Sequence, residues 1–148
     1  MAVLTVNAVV TRLEGAISGL SGWSVSPLPV SLVARSTRQT AHQHAHAFAS
    51  RTDVRQGGVT GRRASTTEGA YVDTTVSVEW SFSIRPDGYA ADILSAHTAE
   101  QALLVALMGV SLVDLHVTPV SLDRQVLDTR SHLLGTIRLR CTHSLALT

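Results

Sequence analysis

The chain has 148 residues, 45% of them hydrophobic, and a formal net charge of +1. That length suits a single domain with a real core, and the near-neutral charge makes no global case for a nucleic-acid partner. All 12 basic residues are Arg, so Schiff-base and P-loop lysines are excluded; Cys141 is the only cysteine, so an internal disulfide and a cysteine-built zinc site are excluded too.

Val6, Val9, Val10, Leu13, Ala16, Ile17 and Leu20 recur at three- and four-residue steps, which predicts an amphipathic helix. Thr5 or Asn7 would cap its start, and Gly19 or Gly22 its end. Pro27 and Pro29 argue against a central strand there, and a short strand is expected at Val30 to Ala34. A strand-like run covers Arg38 to Val54. A loop of Gly, Arg, Ser and Thr follows, from Arg55 to Ala70.

Tyr71 to Arg85 carries the clearest pattern. Val72, Thr74, Val76, Val78, Trp80, Phe82 and Ile84 alternate with polar residues, as in a strand with one buried and one wet face. Pro86 and Gly88 break the pattern. Asp87 is placed to cap a short helix over Tyr89 to Ala96, and Thr98 with Gln101 reads as a capping box opening a second helix through Met108. Two one-face-buried strands follow, around Val113 to Val117 and Thr136 to Leu145. Strands broken by helices without βαβ repetition predict an α+β fold. Its sheet is expected to be largely antiparallel, with a long hairpin arm around residues 51–70, an N-terminal helix and a central helix.

His42, His44 and His46 are spaced by two on a predicted strand, so all three face the same way, and neutral imidazoles so placed can bind a metal. The run is also similar to the motif of histidine-triad nucleotide hydrolases. It departs from that motif at Gln43 and Ala45, where the family has large apolar residues, and it lies too early in the chain. A half-exposed strand face that tolerates His is the favoured reading, and no metal is assigned. Cys141 and His143 fall on an apolar strand face and read as core residues. Arg51, Arg55, Arg62 and Arg63 belong to an Arg-rich segment that can grip phosphates or carboxylates; a solvated loop is the favoured reading, ahead of a protein–protein contact and of nucleic acid. No paired carboxylates stand at a glycosidase spacing and no Ser sits in a nucleophile elbow, so no catalytic residue and no cofactor are assigned. The amino-terminal ten residues lack the basic start of a signal peptide, and no apolar run reaches the ~20 residues of a membrane span. A soluble protein made in a cytoplasm, with no membrane partner, is the expectation.

The layout as a whole resembles the tail terminator, or tail completion, proteins of long-tailed bacteriophages. The likeness rests on the leading helix from Asn7 to Leu20, the strand ending VSVEWSFSIRPDGY from Val76 to Tyr89, the helix TAEQALLVALMG from Thr98 to Gly109, and the closing strand GTIRLRCTHSL from Gly135 to Leu145. It spans nearly the full chain. The resemblance implies a non-enzymatic virion protein at the tail–neck junction, made in the host cytoplasm. Such proteins form rings, commonly hexamers, that cap the tail tube and offer a docking surface to the head. The implied partners are copies of itself, the tail tube protein and a connector or neck protein, with DNA passing through the lumen without sequence-specific binding. Two alternatives stand beside it: a small metal- or nucleotide-binding enzyme using His42, His44 and His46, and another ring-forming tail tube or connector subunit.

Overall fold

The alternation in the middle of the sequence becomes the central strand of a five-stranded sheet. The computed structural model describes residues 4–27, 29, 43–54, 70–84, 88–112, 114–127 and 132–145. The elements are α1 (Val6–Ser18), β1 (Trp23–Val25), β2 (Gln43–Val54), β3 (Ala70–Ser83), α2 (Tyr89–Met108), β4 (Leu115–Leu127) and β5 (His132–Leu145). The sheet order is β1-β2-β3-β5-β4, with β1 parallel to β2 and every other pair antiparallel. The fold is therefore α+β with a mostly antiparallel sheet.

Each helix follows from local chemistry. Thr5 caps α1 by accepting a hydrogen bond from the Ala8 N–H at 3.0 Å, and Gly19 closes it. Val9, Leu13 and Ile17, spaced by four, are the buried stripe of α1. The α2 helix differs from the sequence-based expectation of two helices. It is one uninterrupted helix from Tyr89 to Met108, because Ala96, Glu100, Leu103 and Leu107 fall on one buried face. No Gly or Pro interrupts the stretch between Tyr89 and Met108. Thr98 does not cap; its hydroxyl donates to the Leu94 carbonyl one turn back, at 3.1 Å. The N-cap is Gly88, without a side-chain cap bond, and the proposed cap Asp87 lies outside the described residues.

Two strands also depart from expectation. β1 at Trp23–Val25 was not anticipated, because the prolines just after it argued against a strand; it survives as a three-residue edge strand that ends before Pro27. The strand expected at Val30 to Ala34 lies outside the described residues. β4 continues through Pro119 to Leu127, where a proline would ordinarily end a central strand. Pro119 is tolerated because β4 is the last strand in the sheet and carries an irregularity between Pro119 and Ser121.

The apolar face of β3 is as expected, with Val72, Thr74, Val76, Val78 and Trp80 buried; the face expected to be wet is only partly so, since Tyr71 is exposed while Ser77 and Ser81 are buried. Both helices join this face in one core with Ala45, Ala47, Leu115, Val117, Ile137, Leu139 and Cys141. The opposite face of the sheet carries Asp73, Thr75, Glu79, Arg138 and Arg140 and is polar.

One cross-strand row organises the core. Ala45, Trp80, Gly135 and Arg124 sit side by side on β2, β3, β5 and β4. The Trp80 indole lies directly over Gly135, so that a Cβ at that position would fall inside the ring. Trp23 meets the same indole edge-on, with ring centroids 6.3 Å apart and an interplanar angle of 88°. Trp80→Ala is expected to cost about 3–5 kcal/mol by leaving a cavity, and Gly135→Ala about 1–3 kcal/mol by overpacking. Combined, they should cost clearly less than their sum, since the new methyl occupies vacated space. Chemical denaturation of the two single variants and the double variant measures this; additive losses would contradict the packing described.

Candidate functional site

The His run was the first place to look for chemistry. His44 and His46 lie on the polar face of β2, half-buried, while His42 lies outside the described residues. His46 Nδ1 is 2.8 Å from the Ser26 carbonyl, an acceptor, so that nitrogen carries the proton. The ring also stacks on Phe48, with centroids 5.8 Å apart. These contacts tie β2 to the segment after β1. Among the described residues, no group of three or more His, Cys, Asp or Glu is placed to hold a metal ion.

His143 and Cys141 fall where the apolar pattern placed them. His143 is buried, with Nε2 2.8 Å from the Thr74 hydroxyl and Nδ1 3.2 Å from the Ser144 carbonyl. The neutral tautomer with the proton on Nδ1 satisfies both contacts, so His143 is a bonded core residue. Cys141 is wholly buried, and that burial pushes its thiol up to about 12. A thiol so held is protonated at neutral pH and is no nucleophile.

Charged pairs account for most of the remaining polar chemistry. Arg12 on α1 grips Asp114 with two hydrogen bonds of 3.0 and 2.8 Å, joining the first helix to the turn before β4. The hydrogen bond to Arg12 holds the Asp114 carboxyl below the ordinary carboxylate range. This contribution to stability is present above the unfolded-state value of roughly 3.9 and is lost as pH falls through the depressed folded value. Glu100, buried on α2, receives Arg124 from β4, with Nε to Oε1 at 2.8 Å and Nη2 on the same oxygen. Arg124 reaches Glu100 from the position facing Gly135. Sequence reading missed Glu100, although its spacing with Ala96, Leu103 and Leu107 placed it on the buried stripe.

Of the Arg-rich segment, the described residues include Arg51; Arg55, Arg62 and Arg63 lie outside them. Arg51 is exposed near the end of β2, and its Nε donates to Asp53 at 2.8 Å. Residues 51–54 are an integral part of the sheet, since Arg51 to Val54 pair with Thr75 to Val72 on β3. Sequence reading gave no weight to the matching charges at the other end of the sheet. There Arg138 donates to Asp123 at 2.6 Å, both well exposed.

A cleft of about 270 Å³ is lined by Glu79, Asp123, Arg124, Gln125, Leu134, Gly135 and Thr136. A shallow apolar groove runs between Leu20 and the Ala102, Val105 and Ala106 side of α2. Neither holds a nucleophile hydrogen-bonded to a base. No helix among the described residues is long and apolar enough to cross a membrane. No family model matches the sequence, and no curated protein sequence matches it.

His44 and His46 are expected to act in structure alone. Titration calorimetry with zinc should detect no stoichiometric site, and binding tighter than about micromolar, or about −8 kcal/mol, would contradict that assignment.

Proposed function

We propose that this chain is a structural subunit of a long-tailed phage virion, a tail terminator that assembles as a ring on the end of the tail tube. The observation that carries the reading is the order and length of the elements. A leading helix, a β2–β3 pair of 12 and 14 residues, a long central helix and a closing pair of long strands support that reading.

In this reading the sheet and helices are the ring body. The segment from Arg51 to Ala70 meets a neighbouring subunit, the tube or the neck protein. Arg51, Arg55, Arg62 and Arg63 supply cations for acids on that partner. Exposed pairs of this kind add only about 0–1 kcal/mol each, so they set orientation and partner choice more than affinity. The lumen passes DNA by its width, without reading sequence.

Complementation of a phage lacking the gene tests the proposal. Loss of the chain should leave unjoined heads and tails, with tubes of irregular length, and purified protein should bind at tube ends in electron micrographs. Deleting Gly57 to Gly69 should leave the body folded and abolish incorporation. Infectious particles formed normally without the chain would contradict the function.

A further inference from the structure

Among the described residues the sheet ends in two unlike edges, each open over part of its length. On the outer side of β4, Leu115 bridges back to Leu112 and the Val117 N–H donates to the Ser111 hydroxyl; beyond Val117 no strand lies beside it among the described residues. β1 covers β2 only from Gln43 to Ala45, so the rest of β2 has no strand beside it among the described residues. Open edges offer rows of unpaired N–H and C=O groups that readily take another strand. Both edges also carry exposed apolar side chains: Val54 is 64% exposed on β2 and Val120 is 52% exposed on β4.

We infer that copies of this chain join edge to edge, the open length of β2 in one copy pairing antiparallel with β4 of the next. The inference rests on the ring reading above and names the seam of that ring. Strand direction is its first support. β2 and β4 lie at opposite ends of the sheet and run in opposite directions, because three successive antiparallel steps separate them. A head-to-tail join is therefore antiparallel and keeps every copy's helices on the same side of the continued sheet. Such a join uses both edges of each copy and closes when the rotation per subunit divides a full turn.

Charge and facing then select a register. Arg51 and Asp123 both project from the polar face, one at each edge. Set opposite one another, they place Asp53 opposite Ser121 on the polar face, and Thr52 opposite Leu122 on the helix face. Val54 comes beside Val120. With Ser50 as the extra residue of the β2 irregularity, Ala49 meets Arg124 and Phe48 meets Gln125, still face to matching face. A slip of one residue would turn every pair to the wrong face. A slip of two in one direction sets Asp53 against Asp123, and in the other leaves Arg51 facing Ser121. The selected register instead makes an alternating row across the seam: Asp53 and Arg51 from one copy, Asp123 and Arg138 from the next.

Engineered disulfides test the seam. Facing residues of an antiparallel pair have Cα atoms about 4.5–5.5 Å apart, within disulfide reach. Arg51→Cys and Asp123→Cys replace exposed side chains, which leaves the fold intact; buried Cys141 does not compete. The two variants are mixed and oxidised, in concentrated solution and on isolated tail tubes. Cross-linked pairs should join the two variants to each other, and the double variant should give a ladder ending in a closed ring. Self-linking of the Asp123→Cys protein would overturn the inference in favour of a two-fold β4–β4 contact. Absence of a 51–123 link under both conditions would overturn it as well. A charge-reversal pair gives a second readout: Arg51→Asp should abolish assembly, and adding Asp123→Arg should restore it. A seam that forms without tube binding would sink the terminator reading and leave the seam. Tube capping without the cross-link would sink the seam alone.

Discussion

The contact of the Trp80 indole with the bare backbone of Gly135 sets the rest of this structure. Trp80 is the largest wholly buried side chain, and it stands in the middle of the central strand. Its ring fits because Ala45 on one side is small and Gly135 on the other has no side chain. Arg124 faces Gly135 from the next strand and extends to Glu100 under α2. One cross-strand row therefore couples the registers of β3, β5 and β4 to the seating of the long helix. A one-residue slip of β3 would carry Trp80 to the wet face and Glu79 into the core.

Polar groups inside the core follow a similar economy. Thr52, Thr74 and His143 form a short chain across three strands, with oxygen–oxygen and oxygen–nitrogen distances of 3.4 and 2.8 Å. A buried polar group costs little when it is bonded and much when it is not. The indole N–H of Trp80 and one carboxylate oxygen of Glu100 are the exceptions, buried without a partner among the described residues. The first belongs to the cross-strand row around Gly135, and the second sits on α2 against Arg124 of that row.

Much of the body was legible in the residues themselves. The period-two alternation from Val72 to Trp80 and the four-residue spacing in α1 reflect burial on one face, and burial is what the structure shows there. The central helix was harder. Thr98 and Gln101 have the chemistry of a cap, and only the neighbouring turn decides whether a threonine hydroxyl caps a helix or bonds back into it. The far half of β4 was invisible for another reason. Pro119 and the exposed Val120, Asp123 and Gln125 break the alternation, and β4 tolerates them because its outer side there has no ladder among the described residues. The features that bear on assembly are of this second kind. Arg51 and Asp123 acquire meaning only once the sheet order puts them on opposite edges, and strand order is a long-range property that local spacing does not carry.

An assembly built through sheet edges makes a different demand from one built through the exposed apolar side of α2, where Leu94 is 67% and Val105 66% exposed. Hydrogen exchange distinguishes the two, because edge pairing ties up backbone amides that are open in the free subunit. Exchange should be compared between the free protein and the protein bound at tail-tube ends. Edge joining predicts strong slowing on assembly in residues 48–54 of β2 and 119–125 of β4, with α2 amides unchanged. Unchanged exchange along both edges, with new protection confined to α2, would contradict the account.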